Sequence, residues 1–258
     1  MNETLNVIEQ RRSIRAYSNL PISANEKETI LHAAMRAPTA GNMMLYSIID
    51  VTDSTLKNRL AETCDHQPFI AKAPLVLVFL ADYQRWHDFY VLSGAIERSR
   101  ELNLTPRTPA VGDLMLAVCD ALIAAQNAVI AAESLGIGSC YIGDILENYE
   151  IHRELFNLPP YTVPISMLCF GKPAQATTAN RPIARFDKEF IVHENSYHSL
   201  NAEEYARMFG EMQARFALNP APVGGAQNVG QGNYLRKFIS EFSVEMNRSV
   251  KEMLKNWE

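Results

Sequence analysis

The sequence predicts a globular protein that mixes helices with buried strands around one long apolar helix. Two almost wholly apolar runs, 73–82 (APLVLVFLAD) and 163–171 (VPISMLCFG), have the length of strands covered on both faces. Between them, Asp113–Gly136 (DLMLAVCDALIAAQNAVIAAESLG) is apolar on nearly every face and ends at a glycine, the pattern of a buried helix. The length of 258 residues suffices for one large domain or two small ones. A hydrophobic share of 47% with 21% charged residues places the chain among ordinary soluble globular proteins.

The elements follow in order. Residues 23–36 (SANEKETILHAAMR) open with Ser23 and Glu26 spaced as a capping box and read as a helix, which Pro38 closes. APTAGN is then a loop, 46–52 (YSIIDVT) a strand and 54–63 a helix, before the first apolar strand. Within 113–136, Asp113, Asp120, Gln126, Asn127 and Glu133 interrupt the apolar run, and acidic groups at mid-bilayer are costly. This segment is therefore expected at the centre of the core, with Ala124, Ala125, Ala128, Ala131 and Ala132 admitting a close neighbour, and it is a candidate for sharing between subunits. GSCYIG is a short loop or strand, YEIHRELF a short helix, and 171–198 irregular. A helix over 201–218, a Gly/Pro-rich connection over 219–233 and a last helix from about 234 to 257 complete the chain. In that last helix Leu235, Phe238, Phe242, Met246, Met253 and Trp257 recur at helical spacing. Such a tail has no core of its own, so it has to pack on the main body or on a second copy.

Composition removes several functions. A net charge of −5 and a pI near 5.7 argue against a general nucleic-acid binder. Cys64, Cys119, Cys140 and Cys169 are scattered and the six histidines lack metal-ligand spacing, so neither a disulfide framework nor a metal site is expected. MNETLNVIEQ has no apolar leader region, which with reduced thiols predicts a cytoplasmic protein. The dinucleotide glycine fingerprint, the P-loop and the serine-hydrolase elbow are all absent. GIGSCYIG by itself reads as a helix stop and turn, and His193 and His198 as loop structure.

EQRRSIRAYS, Glu9 to Ser18, holds three arginines within five residues. Most charge runs are solvated faces. In an extended segment, however, Arg11, Ser13 and Arg15 point the same way, and two guanidinium forks with a hydroxyl suit phosphate oxygens.

The order of segments adds to this. RRSIRAY is followed by APTAGN, by Gln67, Ile70, Ala73 and Pro74 as Q-x-x-I-x-x-AP, by AAQNAVIAAESLGIGSCYIG, and by FGKP…RP. This series resembles the FMN-dependent nitroreductase family over essentially the whole chain. SIIDVTD, FIVHENSYHSL and the C-terminal helices resemble its NADPH-preferring, oxygen-insensitive nitroreductase and flavin-reductase group. The resemblance implies an α+β sandwich, residues 1–200, with a helical extension over 201–258, in an intertwined homodimer with FMN at the subunit interface. It makes Arg11, Ser13 and Arg15 phosphate ligands with Arg12 beside them. Pro38, Thr39 and Asn42 match the loop that reaches the partner's FMN, and Gln67 a polar contact to the ring. YIGD, Tyr141, Ile142 and Gly143 with Asp144 after them, matches the strip facing the ring, with the Gly143 amide donating to N5. Arg181 matches one basic phosphate contact, but Ile183 stands where the family has a second; either Arg185 substitutes or the site has one positive charge fewer, and Lys172, close in sequence, reads equally as a surface turn residue.

The implied activity is ping-pong transfer of two-electron reducing equivalents from NADPH or NADH to nitroaromatics, quinones, azo dyes or flavins. The flavin carries the chemistry, so no acid–base constellation is required of the protein. Arg98, Arg100 and Arg107 are candidates for an adenosine 2′-phosphate. Competing readings are a specialised relative, a reductive dehalogenase or flavin-fragmenting enzyme, a supplier of reduced flavin to a monooxygenase, and a non-catalytic FMN-binding protein. Neither nucleic acid nor membrane is an expected partner.

Overall fold

The computed structural model describes residues 2–174, 183–218 and 223–258. The described chain runs through α1 (Glu3–Gln10), α2 (Ala24–Met35), β1 (Tyr46–Asp50), α3 (Ser54–Thr63), α4 (Phe69–Lys72) and β2 (Leu75–Asp82). It continues with α5 (Gln84–Leu92), α6 (Ala95–Glu101), α7 (Val111–Ser134), β3 (Gly138–Ile142), α8 (Tyr149–Leu155) and β4 (Thr162–Gly171). Last come α9 (Ala202–Ala217), α10 (Val229–Asn233) and α11 (Glu241–Leu254). Two compact units result, Met1–Pro182 with Glu245–Glu258, and Ile183–Val244.

The first unit is an α+β sandwich. Its sheet is antiparallel with order β1-β2-β4-β3, and every residue of β2 is buried. Alternation splits that strand between two cores. Leu75, Leu77 and Phe79 meet α2 and α7, while Val76, Val78 and Leu80 meet Leu60, Cys64 and Ile70 on the other face. Helices cover both faces, which is why β2 and β4 carry apolar residues at successive positions. The capping box of α2 forms as its spacing predicts: Ser23 Oγ accepts from Glu26 N at 3.2 Å, and Glu26 accepts from Ser23 N at 2.6 Å.

α7 corrects one expectation. Its alanine face, Ala117, Ala121, Ala124, Ala125, Ala128 and Ala132, is buried under α2 and the sheet. The opposite side is not: Met115, Leu116, Leu122 and Ile123 are exposed. A helix apolar all round is therefore half-covered within one chain.

The tail corrects another. Residues 234–257 do not form one helix; α10 passes into a π-helical turn, Tyr234–Phe238, with Ile239 N donating to Tyr234 O at 3.2 Å. The chain bends there, because the Ser240 hydroxyl bonds back to Lys237 O at 2.9 Å while its carbonyl starts α11. Spacing of apolar residues survives such a break, so periodicity alone does not expose it. α11 packs on its own chain: Met253 and Trp257 are buried with Leu45, Ala81, Tyr83 and Leu114. It also caps α8, since Glu245 accepts from Asn148 N at 3.1 Å and Ser249 Oγ from Tyr149 N at 2.9 Å. Arg248 adds a fork onto Glu150 at 2.7 and 2.9 Å.

Candidate functional site

After α1 the chain straightens and lies along the outer edge of β3. Ser13 pairs with Ser139, Ile14 N donates to Ser139 O at 2.9 Å, and Tyr17 pairs with Pro173. Two glycines allow this close approach. A Cβ at Gly138 would fall 2.4 Å from Ile14 Cγ1, and one at Gly171 would fall 2.3 Å from the Tyr17 ring. The extended geometry of Arg11–Arg15 thus follows from edge pairing, and Ser13 and Arg15 stand exposed.

The electrostatics place the arginines. Arg15 lies over the Phe69 ring, 5.8 Å from its centroid. Burial raises the Cys140 thiol, and Arg15 and Arg11 oppose that rise. Burial pushes Tyr141 up to about 12, again against Arg11. Glu133, near the end of α7, is raised by burial, while a bond from Ser139 Oγ at 3.2 Å and the charges of Arg11 and Arg12 pull it back.

β3 leads from this cationic strip to Gly143. Tyr141 donates its hydroxyl to Gln126 Oε1 at 3.2 Å. Ile142 is buried in the core, so only its backbone can serve a ligand. At Gly143 an added Cβ would meet nothing within 4 Å, so this backbone faces open space. Gln67 sits beside it, with Nε2 donating to Asp144 Oδ2 at 2.7 Å and to Cys64 O at 3.0 Å. The four residue steps from Ser139 to Gly143 span about 13 Å at strand rise. Cations at one end and a flat open backbone at the other fit FMN, whose phosphate and ring are separated by a five-carbon chain.

Pro38, Thr39 and Asn42 lie elsewhere. Thr39 donates its hydroxyl to the Asp120 carboxylate and accepts from Met44 N at 2.8 Å. Asp120 also accepts from Ala40 N at 2.9 Å and Leu45 N at 3.1 Å. This loop enters β1 at Tyr46, which aligns with Ala81 and Val163, whereas Ser139 aligns with Phe170 and Leu75. The loop and the arginine strip therefore occupy diagonally opposite corners of the sheet, on the order of 25 Å apart from strand spacing and rise. One chain does not bring them together.

Arg181 lies outside the described residues. Ile183 and Arg185 belong to the second unit, where Arg185 donates to Ala184 O at 3.3 Å. Lys172 pairs with the capping carboxylate of Glu26 at 3.0 Å. Arg107 forks onto Asp113, while Arg98 pairs with Glu101 at 2.8 Å and Arg100 with Glu97 at 3.8 Å. Among the described residues no His/Cys/Asp/Glu group could hold a metal. Sequence reasoning gave no role to Asp120, Glu133 or Glu147, and placed Asp144 only as the last residue of the YIGD strip. Asp120 and Glu133 had a signal, being acidic residues inside an apolar helix; Glu147 had none.

The fold is an α+β sandwich with an arginine-bearing segment paired along one sheet edge and leading to the open backbone at Gly143. The nitroreductase family model matches residues 8–172, and the chain belongs to that family. It is 32% identical over 217 residues to the NADPH-flavin oxidoreductase of Vibrio harveyi, covering 84% of each chain. It is 32% identical over 220 residues to the oxygen-insensitive NADPH nitroreductase of Salmonella typhimurium, again 84% of each. Among solved structures, the Vibrio harveyi NADPH:FMN oxidoreductase complexed with NAD+ superposes with a TM-score of 0.77 at 27% identity, over 98% of both chains.

Proposed function

We propose that this protein is an FMN-dependent oxidoreductase that draws on NADPH or NADH and serves flat acceptors such as nitroaromatics, quinones or flavins. The observation that carries the reading is the arginine strip seated on the edge of β3 and leading to the open backbone at Gly143, in a chain of this family. Bound FMN would supply two-electron transfer between donor and acceptor. Arg11, Ser13 and Arg15 would hold its phosphate, with Arg12 and Arg181 as further contacts. The Tyr141–Gly143 backbone would lie against the ring, with the Gly143 amide as a fixed donor.

The working unit in this reading is a homodimer. Pro38, Thr39 and Asn42 sit a sheet diagonal away from the strip, so one site can use both only by taking them from two copies. The exposed apolar side of α7 offers the surface on which those copies meet. The free cysteines suit a cytoplasmic setting.

The purified protein should be yellow, carry one FMN per subunit, bleach with NADPH or NADH and recolour with a quinone or nitroarene. Bound FMN that neither nucleotide bleaches would leave a flavin-storing protein and defeat the enzymatic reading. Release of FAD, or failure to take up any flavin, would defeat the cofactor assignment.

A further inference from the structure

Gln67 has used both amide protons. Nε2 donates to the Cys64 carbonyl and the Asp144 carboxylate, and neither acceptor could be met by an amide oxygen. The side chain is therefore fixed in one sense, and Oε1 is its remaining polar atom.

What holds Asp144 is unusual. It faces Glu147 closely enough for the two carboxyls to share a hydrogen bond, and Glu147 N donates to Asp144 O at 3.0 Å. Glu147 is only 5% exposed, and its Oε1 has no partner. The charges that act on it most strongly are acidic, and Arg59, a cation of α3, acts on His152. Asp65 approaches from the turn after α3, Glu245 from α11 and the Cys64 thiol from α3. His152 of α8 is fully buried, with Nδ1 3.0 Å from Ile145 O and Nε2 2.8 Å from Thr63 Oγ1, and burial pushes it down to about 4. The cation behind Glu245, Arg248, is divided between Glu150 and Glu245. Burial first, then the Asp144, Asp65 and Glu245 carboxylates, push Glu147 up to about 8. A buried carboxyl in contact with a half-buried one, with no cation between them, cannot ionise cheaply while its neighbour is charged.

We propose that Asp144 and Glu147 share one proton near neutral pH, and that this proton holds Gln67 and the Gly143 backbone in the form that binds FMN. With the proton present, Glu147 donates to Asp144, which stays an acceptor for Gln67. Without it, two carboxylates repel within one turn of chain, Gly143–Glu147, and the ring end of the site loosens. Both residues are positioning residues. The coupling to FMN rests on the function proposed above; the shared proton does not.

Infrared titration of the apoprotein tests the proton alone. A protonated-carboxyl carbonyl band should be present at pH 6.5, vanish with a midpoint near 8, and be missing in Glu147→Gln. In Asp144→Asn the midpoint should move down, since the neighbouring charge is gone while an amide oxygen still accepts from Gln67. A wild-type spectrum without the band, or a band unchanged by Glu147→Gln, would overturn the pair.

FMN affinity measured on the same proteins tests the coupling. From pH 6.5 to 9 the parent should lose about tenfold more affinity than Glu147→Gln, the linkage expected one unit above the midpoint. Equal losses would overturn the coupling. No FMN binding at any pH would overturn the functional reading and the coupling with it, while the infrared result would still decide the shared proton.

Discussion

Replacing Arg11 or Arg15 with alanine should weaken FMN binding, and the structure predicts that the two losses differ. Each substitution removes a charge-assisted bond to phosphate worth about 1.5–3 kcal/mol, or on the order of tenfold to 150-fold in affinity. Arg15 loses that and its contact with the Phe69 ring. Arg11 also shields Glu133, whose half-buried carboxyl is raised by burial, with the Ser139 hydroxyl and the Arg11 and Arg12 charges opposing that rise. With Arg11 gone, Glu133 repels the phosphate, so Arg11→Ala should sit at the upper end of the range and Arg15→Ala lower. Adding Glu133→Gln to Arg11→Ala should recover part of the loss and do little alone, a non-additivity that a double-mutant cycle reads directly. Quenching of flavin fluorescence by the apoprotein gives the dissociation constants. Riboflavin, lacking the phosphate, should bind weakly and be indifferent to all of these changes. If both alanine variants bind FMN like the parent, or riboflavin suffers equally, the strip is a solvated face.

Two further outcomes follow from the packing. Trp257→Ala should cost about 3–5 kcal/mol in urea unfolding, because the ring is fully buried against Tyr161 and Met253; Trp257→Phe should cost much less, since Nε1 has no partner to lose. Asp120→Ala should cost roughly 2–4 kcal/mol and make residues 39–45 more open to proteolysis, because Ala40 N and Leu45 N lose their acceptor; a change below about 0.5 kcal/mol would show that water replaces the carboxylate there.

Much of this fold is written locally. The helices at 23–36 and 54–63 and the strands at 73–82 and 163–171 are found within a residue or two, because capping boxes and apolar runs of strand length are short-range signals. α1, α5 and α6 carry weaker ones. Asn2 caps α1 by accepting from Leu5 N at 2.9 Å, but Tyr83 and Gly94 begin α5 and α6 without a side-chain cap. The arginine strip was legible because alternation in an extended segment follows from spacing alone. Asp144 and Glu147 were not. Their chemistry depends on Asp65 and Gln67 from the turn after α3 and on Glu245 from α11, and on burial no local pattern specifies.

α7 connects these features. Near its middle Asp120 anchors the 39–45 loop, and near its end Gln126 and Glu133 engage Tyr141 and Ser139 of β3. Asp120 and Glu133 are thirteen residues apart, about 20 Å of helix, comparable to the sheet diagonal that separates loop and strip. The same helix thus supports both corners with polar residues while leaving Met115, Leu116, Leu122 and Ile123 open. If a second copy covers that open side, a two-fold arrangement brings the loop of one chain toward the strip of the other without either moving within its own chain. On that reading the acidic residues that interrupt the apolar helix and the apolar residues that stay exposed have one explanation. The former fix the two half-sites to a common rod, and the latter join two rods so that the halves meet.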